Sequence, residues 1–285
     1  MLGTFLKKAF SSLKTAKGVL THQQQVNWNK NGYLVLPGFF DASKIDQYMC
    51  DLDQLWSERS LTAGDVTIDL LEGVHQGKRL KLRDAPDEAL HQRHKLNDLF
   101  LDMESCRCLN VDDSLSQILR DLLDGEPLVI NSLSFTRGSE QPYHFDSYYM
   151  PPPQPDKMVV TSICLEDQSE NAGPLSYFPG SHKIEPWIFD HGGINAIESD
   201  ISEATNYIEH ELAVNKLKPE MFVGKKGDVF IWHAQLYHGG LPIKDPSLTR
   251  RTLVTHYWRS QDLEAQFVKK YSEFASTMNR AHPEV

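Results

Sequence analysis

The spacing of hydrophobic residues differs between the two halves of the chain. In the first half the spacing is helical, and it predicts helices at about 21–31 and 41–59 and a longer helical region at 91–124. A short apolar run predicts a strand at 33–36, and residues 61–90 are predicted to be loops and short strands. The apolar stripe of the second helix consists of Ile45, Tyr48, Met49, Leu52, Leu55 and Trp56.

After Gly125 the hydrophobic runs become short and rich in Val, Ile, Thr, Tyr and Phe, with Gly, Pro, Asn and Asp between them. The predicted strands are 127–136, 143–149, 157–166, 174–178, 228–232, 235–238 and 251–258. Many short strands separated by turn residues are typical of a sandwich or a barrel. We therefore predict a mainly β fold with flanking helices, whose core is a double-stranded β-helix, the cupin-like jelly roll.

The chain is predicted to form one main domain, residues 21–262, because no linker or internal repeat divides it. This domain has a helical N-terminal part at 21–125 and a jelly-roll core at 126–262. Residues 1–20 are predicted to be a basic amphipathic helix, and residues 263–285 a C-terminal helix or tail.

Composition and charge exclude several classes of protein. A net charge of -10 on 285 residues argues against general nucleic-acid binding, which needs a basic surface. The four cysteines have neither the spacing of a zinc site nor that of a disulfide framework. No apolar run approaches the roughly 18 residues that a membrane helix needs. The simplest expectation is a cytoplasmic protein with reduced thiols.

The N-terminal segment has a different charge from the rest, because residues 1–40 contain five lysines and no Asp or Glu. Its apolar residues recur at roughly helical spacing: Phe5, Leu6, Ala9, Phe10, Leu13 and Leu20. A helix docked on the domain is the favoured interpretation. The alternatives are a peripheral membrane contact through residues 1–20 and an organelle-targeting peptide, which the lack of arginine argues against.

The first candidate for chemistry is His144-Phe145-Asp146. In a strand, residues two apart point to the same face, so His144 and Asp146 can offer an imidazole nitrogen and a carboxylate oxygen to one metal ion. On its own the pair is weak evidence, because a histidine and an aspartate at this spacing are often a surface pair.

A second candidate lies at 227–240, where a turn leads into an apolar strand and the segment ends in His238 and two glycines. Two histidines and one carboxylate on a β scaffold form the facial triad of non-haem Fe(II) oxygenases, which leaves open positions for O2 and a bidentate 2-oxo acid. The predicted metal ligands are therefore His144, Asp146 and His238. His233 is the rival third ligand, but a role supporting the ligands is favoured for it.

A third candidate is Arg250, at the start of a predicted strand. A guanidinium can hold a carboxylate through two parallel hydrogen bonds. Arg250 and Thr252 share a face of the strand, so both could bind the distal carboxylate of 2-oxoglutarate, whereas Arg251 points the other way. Without the other motifs, both arginines would be interpreted as surface charges on an edge strand.

Taken in order, these pieces resemble the phytanoyl-CoA dioxygenase family of Fe(II)- and 2-oxoglutarate-dependent oxygenases, which also contains ectoine hydroxylases. The resemblance rests on Asn31–Phe40, on His144-Phe145-Asp146, on Asn171–Lys183 with its Pro-Gly-Ser-His string, on the segment from Gly227 to Gly239, and on the Arg250-Arg251 strand. Together these segments cover most of residues 31–258 in the family's order.

The resemblance implies that the protein uses Fe(II), 2-oxoglutarate and O2. It implies that His144, Asp146 and His238 are the metal ligands and that Arg250 pairs with the C5 carboxylate of 2-oxoglutarate. Halogenases of this fold lack the carboxylate ligand. The presence of Asp146 therefore favours hydroxylation of an unactivated C–H bond, with release of succinate and CO2, over halogenation.

Further roles follow from the resemblance for residues near the ligands. Asn131 is expected to contact the cosubstrate, and Arg137 the substrate or the ligands; the alternatives are a strand hydrogen bond for Asn131 and a surface charge for Arg137. The Pro-Gly-Ser-His string, which ends in His182, is implied to be a structural turn. Tyr148 and Tyr149 are expected to line a substrate pocket, although tyrosines in this position fit a core equally well.

Two further residues, Trp232 and His233, are candidates for substrate contacts or for support of the metal ligands. The long acidic interruption at 185–220 is interpreted as a lid-like insertion, and its charge favours a cationic or zwitterionic substrate because like charge repels an acyl-CoA. The basic segment 1–20 favours a lipid-like substrate instead. The expected partner is therefore a small-molecule or lipid-like substrate, and the sequence does not specify the oligomeric state.

Two other functions are compatible with this pattern. One is a jelly-roll metalloenzyme that does not use 2-oxoglutarate, and the other is a non-catalytic jelly-roll binding protein. The complete set of metal and arginine motifs argues against the second.

Overall fold

A computed structural model describes residues 18–285. The predicted N-terminal helix at 1–20 therefore lies almost entirely outside the described residues. The α-helices of the described chain are α1 (His22–Asn31), α2 (Ala42–Ser57), α3 (Arg59–Thr62), α4 (Glu104–Asn110), α5 (Asp113–Leu123) and α6 (Ile201–Val214).

The strands between residues 18 and 285 are β1 (Tyr33–Leu36), β2 (Thr67–Leu70), β3 (Arg79–Lys81), β4 (His94–Asn97), β5 (Pro127–Phe135), β6 (Val159–Cys164), β7 (Leu175–Tyr177), β8 (Glu220–Phe222), β9 (Val229–His233), β10 (His238–Gly240), β11 (Thr252–Arg259), β12 (Val268–Lys270) and β13 (Ser276–Met278). Of these elements, α1–α5 and β1–β4 precede Gly125, and α6 and β5–β13 follow it.

Helix α1 is fixed at both ends by local interactions. The Thr21 side chain accepts a hydrogen bond from the backbone N–H of Gln24, and the Gln24 side chain accepts one from the backbone N–H of Thr21. Gly32 ends the helix in the left-handed region, at φ +78°. A Cβ at this position would lie 2.4 Å from Nδ1 of His182, so both the conformation and the close approach require glycine.

The predicted apolar stripe of α2 is confirmed, because Ile45, Tyr48, Leu52 and Trp56 are buried. The predicted helical region 91–124 is wrong in its first part, where β4 is a strand paired with β2 and β5. The residue after this strand, Asp98, has a left-handed φ of 58°. The predicted helix cannot run through this residue, because a right-handed helix needs a negative φ. Pairing with distant strands overrides the local helical spacing here.

The strands form two sheets. The larger sheet has the order β1-β9-β6-β11-β5-β4-β2-β3 with antiparallel neighbours, and β13 joins β5 in parallel while pairing with β12. The smaller antiparallel sheet has the order β10-β7-β8. Side chains of both sheets meet in one buried cluster that includes Phe230, Trp232 and Tyr177. The predicted jelly roll is confirmed.

Alternating residues of the central strands separate two cores. On β9, Val229 and Ile231 pack into the cluster that contains the helices, whereas Phe230 and Trp232 pack between the two sheets. This alternation follows from the two-residue period of a strand. Helices α2, α4 and α5 therefore cover the outer face of the larger sheet, and its inner face is left for the site.

Three boundaries differ from the predictions. The predicted strand 143–149 is a single β-bridge between His144 and His238, followed by a 3₁₀ turn at Asp146–Tyr148. The predicted insertion 185–220 contains α6, and a third cluster buries the inner side of this helix. The segment 263–285 has no α-helix; it forms 3₁₀ turns and the β12–β13 pair. No helix within residues 18–285 has the length and apolar character required to cross a bilayer.

Candidate metal centre and cosubstrate cavity

The three predicted metal ligands lie together between the sheets. One nitrogen of His144, one nitrogen of His238 and a carboxylate oxygen of Asp146 are within 4.8 Å of one another. Nε2 of His144 is 3.5 Å from Oδ1 of Asp146, and Nε2 of His238 is 3.6 Å from Oδ2. Adjacent ligands on one ion at bond lengths of about 2.1 Å are roughly 3 Å apart, so this donor set needs little movement to hold a metal.

A backbone bridge positions the two histidines. The N–H of His144 donates to the carbonyl of His238 at 2.8 Å, and the N–H of His238 donates to the carbonyl of His144 at 3.2 Å. Nδ1 of His144 lies 2.8 Å from the carbonyl of Pro142, and Nδ1 of His238 lies 2.8 Å from the carbonyl of Leu236. These contacts require a proton on each Nδ1, so each Nε2 presents a lone pair to the centre.

Burial and proximity set the charges of the three groups. Burial alone would raise the pKa of Asp146, but the neighbouring histidines, His238 first, hold that pKa well below its usual range. Burial lowers the pKa of His238 to about 4. Burial acts in the same direction on His144, but its contact with Asp146 outweighs this and raises its pKa. An anionic carboxylate and neutral imidazoles are the forms that bind a metal cation.

Two further side chains surround the carboxylate of Asp146. The indole Nε1–H of Trp232 donates to Oδ2 at 2.8 Å. Nε2 of His256, on β11, lies 3.5 Å from Oδ1. Trp232 was predicted to contact the substrate or to support the ligands, and the structure places it against a ligand. His256 was not predicted.

Arg250 and Thr252 line the same cavity as the three ligands. Arg250 is 6% exposed and forms no ion pair with any residue from 18 to 285. Its Nε and the buried Oγ1 of Thr252 have no hydrogen-bond partner in this part of the chain. Burial lowers the pKa of Arg250 to about 10. Arg251 points away and lies 3.9 Å from Glu166, as the strand alternation predicted.

The cavity has a volume of about 500 Å³, which is the size of a small-molecule site. Tyr149, Met150, Ile201 and Thr205 form part of its wall, the last two from α6. The insertion therefore does border the cavity. Its acidic side chains are not part of the lining, and Asp146 is the single carboxylate among the described lining residues. The charge of the insertion thus says nothing about the charge of the substrate.

Several predicted site residues lie outside this lining. The Asn131 amide donates to Asp98 at 3.1 Å, which is the strand-side hydrogen bond considered as its alternative. Arg137 donates to the carbonyl of Pro246. The Tyr148 hydroxyl is buried and accepts from the backbone N–H of Trp187 at 2.8 Å.

His233 and His182 also stand apart from the cavity lining. His233 is buried, and its Nδ1 accepts from the N–H of Gln235 at 3.1 Å. Its ring lies 5.5 Å from that of His182 and 6.1 Å from Trp28, between centroids. Burial lowers the pKa of His233 to about 4. Both histidines are packing residues between α1 and the sheets, which agrees with the choice of His238 as ligand.

Sequence reasoning missed two charged or titratable residues of the lining, Lys95 and His256. Lys95 is on β4, in the region predicted to be helical, and its Nζ lies 3.4 Å from Asp69. His256 is four residues after Thr252 on the same face of β11. The alternation that assigned Arg250 and Thr252 to one face could have found His256, because 250, 252, 254 and 256 all line the cavity.

The fold and the site define a class of protein: the non-haem iron oxygenases that use 2-oxoglutarate. The donor set fits Fe(II), and the unpaired buried guanidinium fits the far carboxylate of 2-oxoglutarate. The family model described as phytanoyl-CoA dioxygenase (PhyH) matches residues 28–252. The chain belongs to this family.

Curated relatives support this membership. The human "Phytanoyl-CoA dioxygenase, peroxisomal" is 25% identical over 236 residues, which are 78% of this chain and 63% of the human protein. The chain thus matches less than two thirds of that relative's length. The "Probable alpha-ketoglutarate-dependent hypophosphite dioxygenase" of Stutzerimonas stutzeri is 23% identical over 259 residues, 90% of this chain and 85% of that protein.

Solved structures share the fold. EctD from S. alaskensis with 2-oxoglutarate and 5-hydroxyectoine is 17% identical and has a TM-score of 0.63, covering 96% of this chain and 89% of that one. The non-heme alpha ketoglutarate dependent carbocyclase SnoK from nogalamycin biosynthesis is 14% identical, with a TM-score of 0.63 and 85% coverage of both chains. Because a carbocyclase shares this fold, the fold alone does not select one reaction.

Proposed function

We propose that this protein is an Fe(II)- and 2-oxoglutarate-dependent dioxygenase that hydroxylates a C–H bond of a small molecule, with release of succinate and CO2. One observation carries the proposal: the His144, Asp146 and His238 set and the unpaired Arg250–Thr252 pair line one cavity of about 500 Å³. A metal site and a free guanidinium in one cavity are what an enzyme that binds a metal and a dicarboxylate cosubstrate together needs.

Each residue has a distinct task in this proposal. His144, Asp146 and His238 hold Fe(II), which together with 2-oxoglutarate supplies the activation of O2 when bound. The guanidinium of Arg250 binds the distal carboxylate of 2-oxoglutarate through charge-assisted hydrogen bonds, and the Thr252 hydroxyl donates to the same carboxylate. The two features are needed together because the metal fixes one end of the cosubstrate and Arg250 the other.

In this proposal Tyr149 and α6 form the part of the wall that contacts the substrate and limits the entry of water. Tyr149 packs edge-on against the His144 ring, with 5.6 Å between centroids, and reaches the solvent with 59% of its surface exposed. Ile201 and Thr205 bring α6 over the cavity. Water exclusion strengthens the electrostatic interactions inside the site and prevents side reactions.

The charges of the lining favour a neutral or anionic substrate over a cationic one. In this proposal Asp146 is committed to the metal and Arg250 to 2-oxoglutarate, which leaves Lys95 as the lysine, arginine or carboxylate side chain of the described lining that can face the substrate. Asp69, which neighbours Lys95, already accepts two hydrogen bonds from Arg79 at 2.6 and 2.8 Å. Lys95 therefore retains donors for an anionic group. This reverses the charge preference expected from the acidic insertion.

The proposal is tested by measuring succinate by mass spectrometry after full-length protein is loaded anaerobically with Fe(II) and given 2-oxoglutarate and O2. We expect slow succinate formation that a true substrate accelerates, with a product heavier by one oxygen atom. Neutral and anionic compounds should accelerate it more often than cations. A protein that binds metal and 2-oxoglutarate but forms no succinate with any compound would be a binding protein instead.

Asp146→Ala is the matching variant for this assay. We expect it to lower succinate formation by more than about 100-fold in metal-replete buffer, beyond the loss typical of residues that only support a ligand. The exposed Asp190→Ala should leave the rate unchanged. Full activity of Asp146→Ala would show that the three ligands are wrongly assigned.

A further inference from the structure

His256 is a third histidine beside the ligand set, and the proposed metal site gives it no role. Its ring is 2% exposed, and its Nε2 lies 3.5 Å from Oδ1 of Asp146. That distance equals the separation between the ligand His144 and the same oxygen. His256 nevertheless falls outside the group of donor atoms that lie within 4.8 Å of one another. It therefore neighbours the carboxylate without sharing the point where the metal would sit.

The protonation of His256 differs from that of the two ligand histidines. Each ligand histidine has its Nδ1 beside a backbone carbonyl, which places the proton on Nδ1 and frees Nε2 for a metal. Nδ1 of His256 is buried and has no partner among residues 18–285. A buried N–H without an acceptor is costlier than a buried lone pair without a donor. The proton of neutral His256 therefore belongs on Nε2, facing Asp146.

Trp232 completes this arrangement from the other side. Its indole N–H donates to Oδ2 of Asp146 at 2.8 Å, while Nε2–H of His256 faces Oδ1. Oδ2 thus has a hydrogen-bond donor, and Oδ1 has the His256 ring nitrogen 3.5 Å away. A carboxylate held in this way cannot rotate freely, and it is poorly suited to binding a metal through both oxygens at once.

We propose that His256 is a positioning residue that donates Nε2–H to Asp146 and, with Trp232, holds the carboxylate as a ligand through one oxygen. The proposal rests on the proposed metal site. Binding through one oxygen keeps the coordination positions free that 2-oxoglutarate and O2 need. His256 itself is not a ligand.

The structure offers two substitutions that separate the hydrogen bond from the volume of the ring. His256→Gln can place an amide N–H near the position of Nε2, whereas His256→Leu fills the space without a donor. Isothermal titration calorimetry with Mn(II) measures metal affinity without turnover. Titration of 2-oxoglutarate into the Mn(II)-loaded protein measures the affinity for 2-oxoglutarate, which depends on free coordination positions on the metal. Circular dichroism and thermal unfolding establish whether each variant is folded.

We expect His256→Leu to weaken Mn(II) binding by about 10- to 100-fold and His256→Gln to remain within a few-fold of the wild type. 2-Oxoglutarate should also bind more weakly to Mn(II)-loaded His256→Leu, beyond the change in metal occupancy. Unchanged Mn(II) and 2-oxoglutarate affinities in a folded His256→Leu would overturn the role of His256. A wild type that binds no Mn(II) would instead overturn the metal site itself.

A measurement on the wild type covers the case in which His256→Leu does not fold. The ¹⁵N chemical shifts of the imidazoles in the Zn(II)-loaded, diamagnetic protein report which nitrogen of each histidine carries the proton. We expect the proton of His256 on Nε2 and those of His144 and His238 on Nδ1. A His256 protonated on Nδ1, or coordinated to Zn(II), would contradict the proposal.

Discussion

Arg250 shows at the scale of one residue how a buried charge indicates a missing partner. Removing a guanidinium from water is costly unless a carboxylate or hydrogen-bond acceptors replace the water. Within residues 18–285 no carboxylate does so for Arg250. In the proposed function, the carboxylate of 2-oxoglutarate would offset the energetic cost of this arrangement.

The first prediction concerns stability with and without 2-oxoglutarate. Arg250→Met should unfold at the same temperature as the wild type or higher, because an apolar side chain replaces an unpaired buried charge. It should lose most of the rise in melting temperature that 2-oxoglutarate and Mn(II) give the wild type, since its affinity should fall by about 10- to 100-fold. Differential scanning fluorimetry measures both effects.

Arg251→Met is the matched control for Arg250→Met. Arg251 is next in the chain, but its side chain lies near Glu166 at the surface, where an ion pair contributes about 0–1 kcal/mol. Its response to 2-oxoglutarate should equal that of the wild type. An equal loss in both variants would show that charge in this region, and not the contact of Arg250, determines binding.

His233 yields a prediction for acid stability. Burial lowers its folded-state pKa to about 4, below the usual value of about 6.5, and its Nδ1 already accepts a hydrogen bond. The unfolded chain therefore takes up this proton first. The free energy of unfolding should fall as the pH decreases from about 6.5 to 4, by up to about 3 kcal/mol from this residue.

His233→Asn should remove this part of the pH dependence, because its amide oxygen can accept the same hydrogen bond and does not titrate. Urea unfolding at several pH values between 4 and 7 measures the slope. The exposed His91→Asn serves as control and should leave the slope unchanged. Parallel slopes for the wild type and His233→Asn would show that His233 is not the buried neutral group described.

At the scale of elements, the junction of α1 and β1 depends on Gly32. Gly32→Ala should lower the free energy of unfolding by more than about 2 kcal/mol, because it adds a clash with His182 to the cost of a left-handed residue. Gly64→Ala has the same kind of positive φ but nothing within 4 Å, so it should cost only about 1 kcal/mol. Equal losses in urea unfolding would mean that the packing of His182 is unimportant.

Helix α6 gives a prediction about substrate access. Thr205→Trp should narrow the cavity and lower substrate-stimulated succinate formation several-fold, while Mn(II) and 2-oxoglutarate affinities stay close to those of the wild type. Glu209→Gln, on the exposed side of the same helix, should alter none of these quantities. A large effect of Glu209→Gln would restore the acidic insertion as a determinant of the substrate.

The elements also explain what the sequence could and could not predict. Strand β9 was predictable because the run from Val229 to Trp232 is short, apolar on both faces and follows a glycine turn. His144 and Asp146 lie together with His238, as the prediction required, but the local structure that brings them together differs from the predicted strand. His144 is in a single bridge and Asp146 begins a 3₁₀ turn, because only the distant His238 pairs with this segment.

At the scale of the whole molecule, the residues that escaped prediction are those whose role depends on pairing between distant strands. Lys95 enters the cavity because β4 pairs with β5, at the Lys95–Phe135 position. His256 reaches Asp146 because the two sheets face each other. The pairing that brings Lys95 to the cavity has no local pattern in a single sequence, whereas the alternation along β11 could have placed His256 on the cavity face but not beside Asp146. The same limit explains why the substrate was not predicted. The wall of the cavity combines residues from α6, the loop after Asp146 and β4, which are far apart in the sequence.

The bridge between His144 and His238 holds the two histidines through backbone hydrogen bonds that do not involve a metal ion. These bonds close a long loop, and the entropy of that closure is lost during folding. We therefore expect the fold to form without the metal, unlike a zinc finger, whose chain needs its ion in order to fold. We expect a cell short of iron to accumulate this protein intact but inactive, and to recover its activity on resupply without new synthesis.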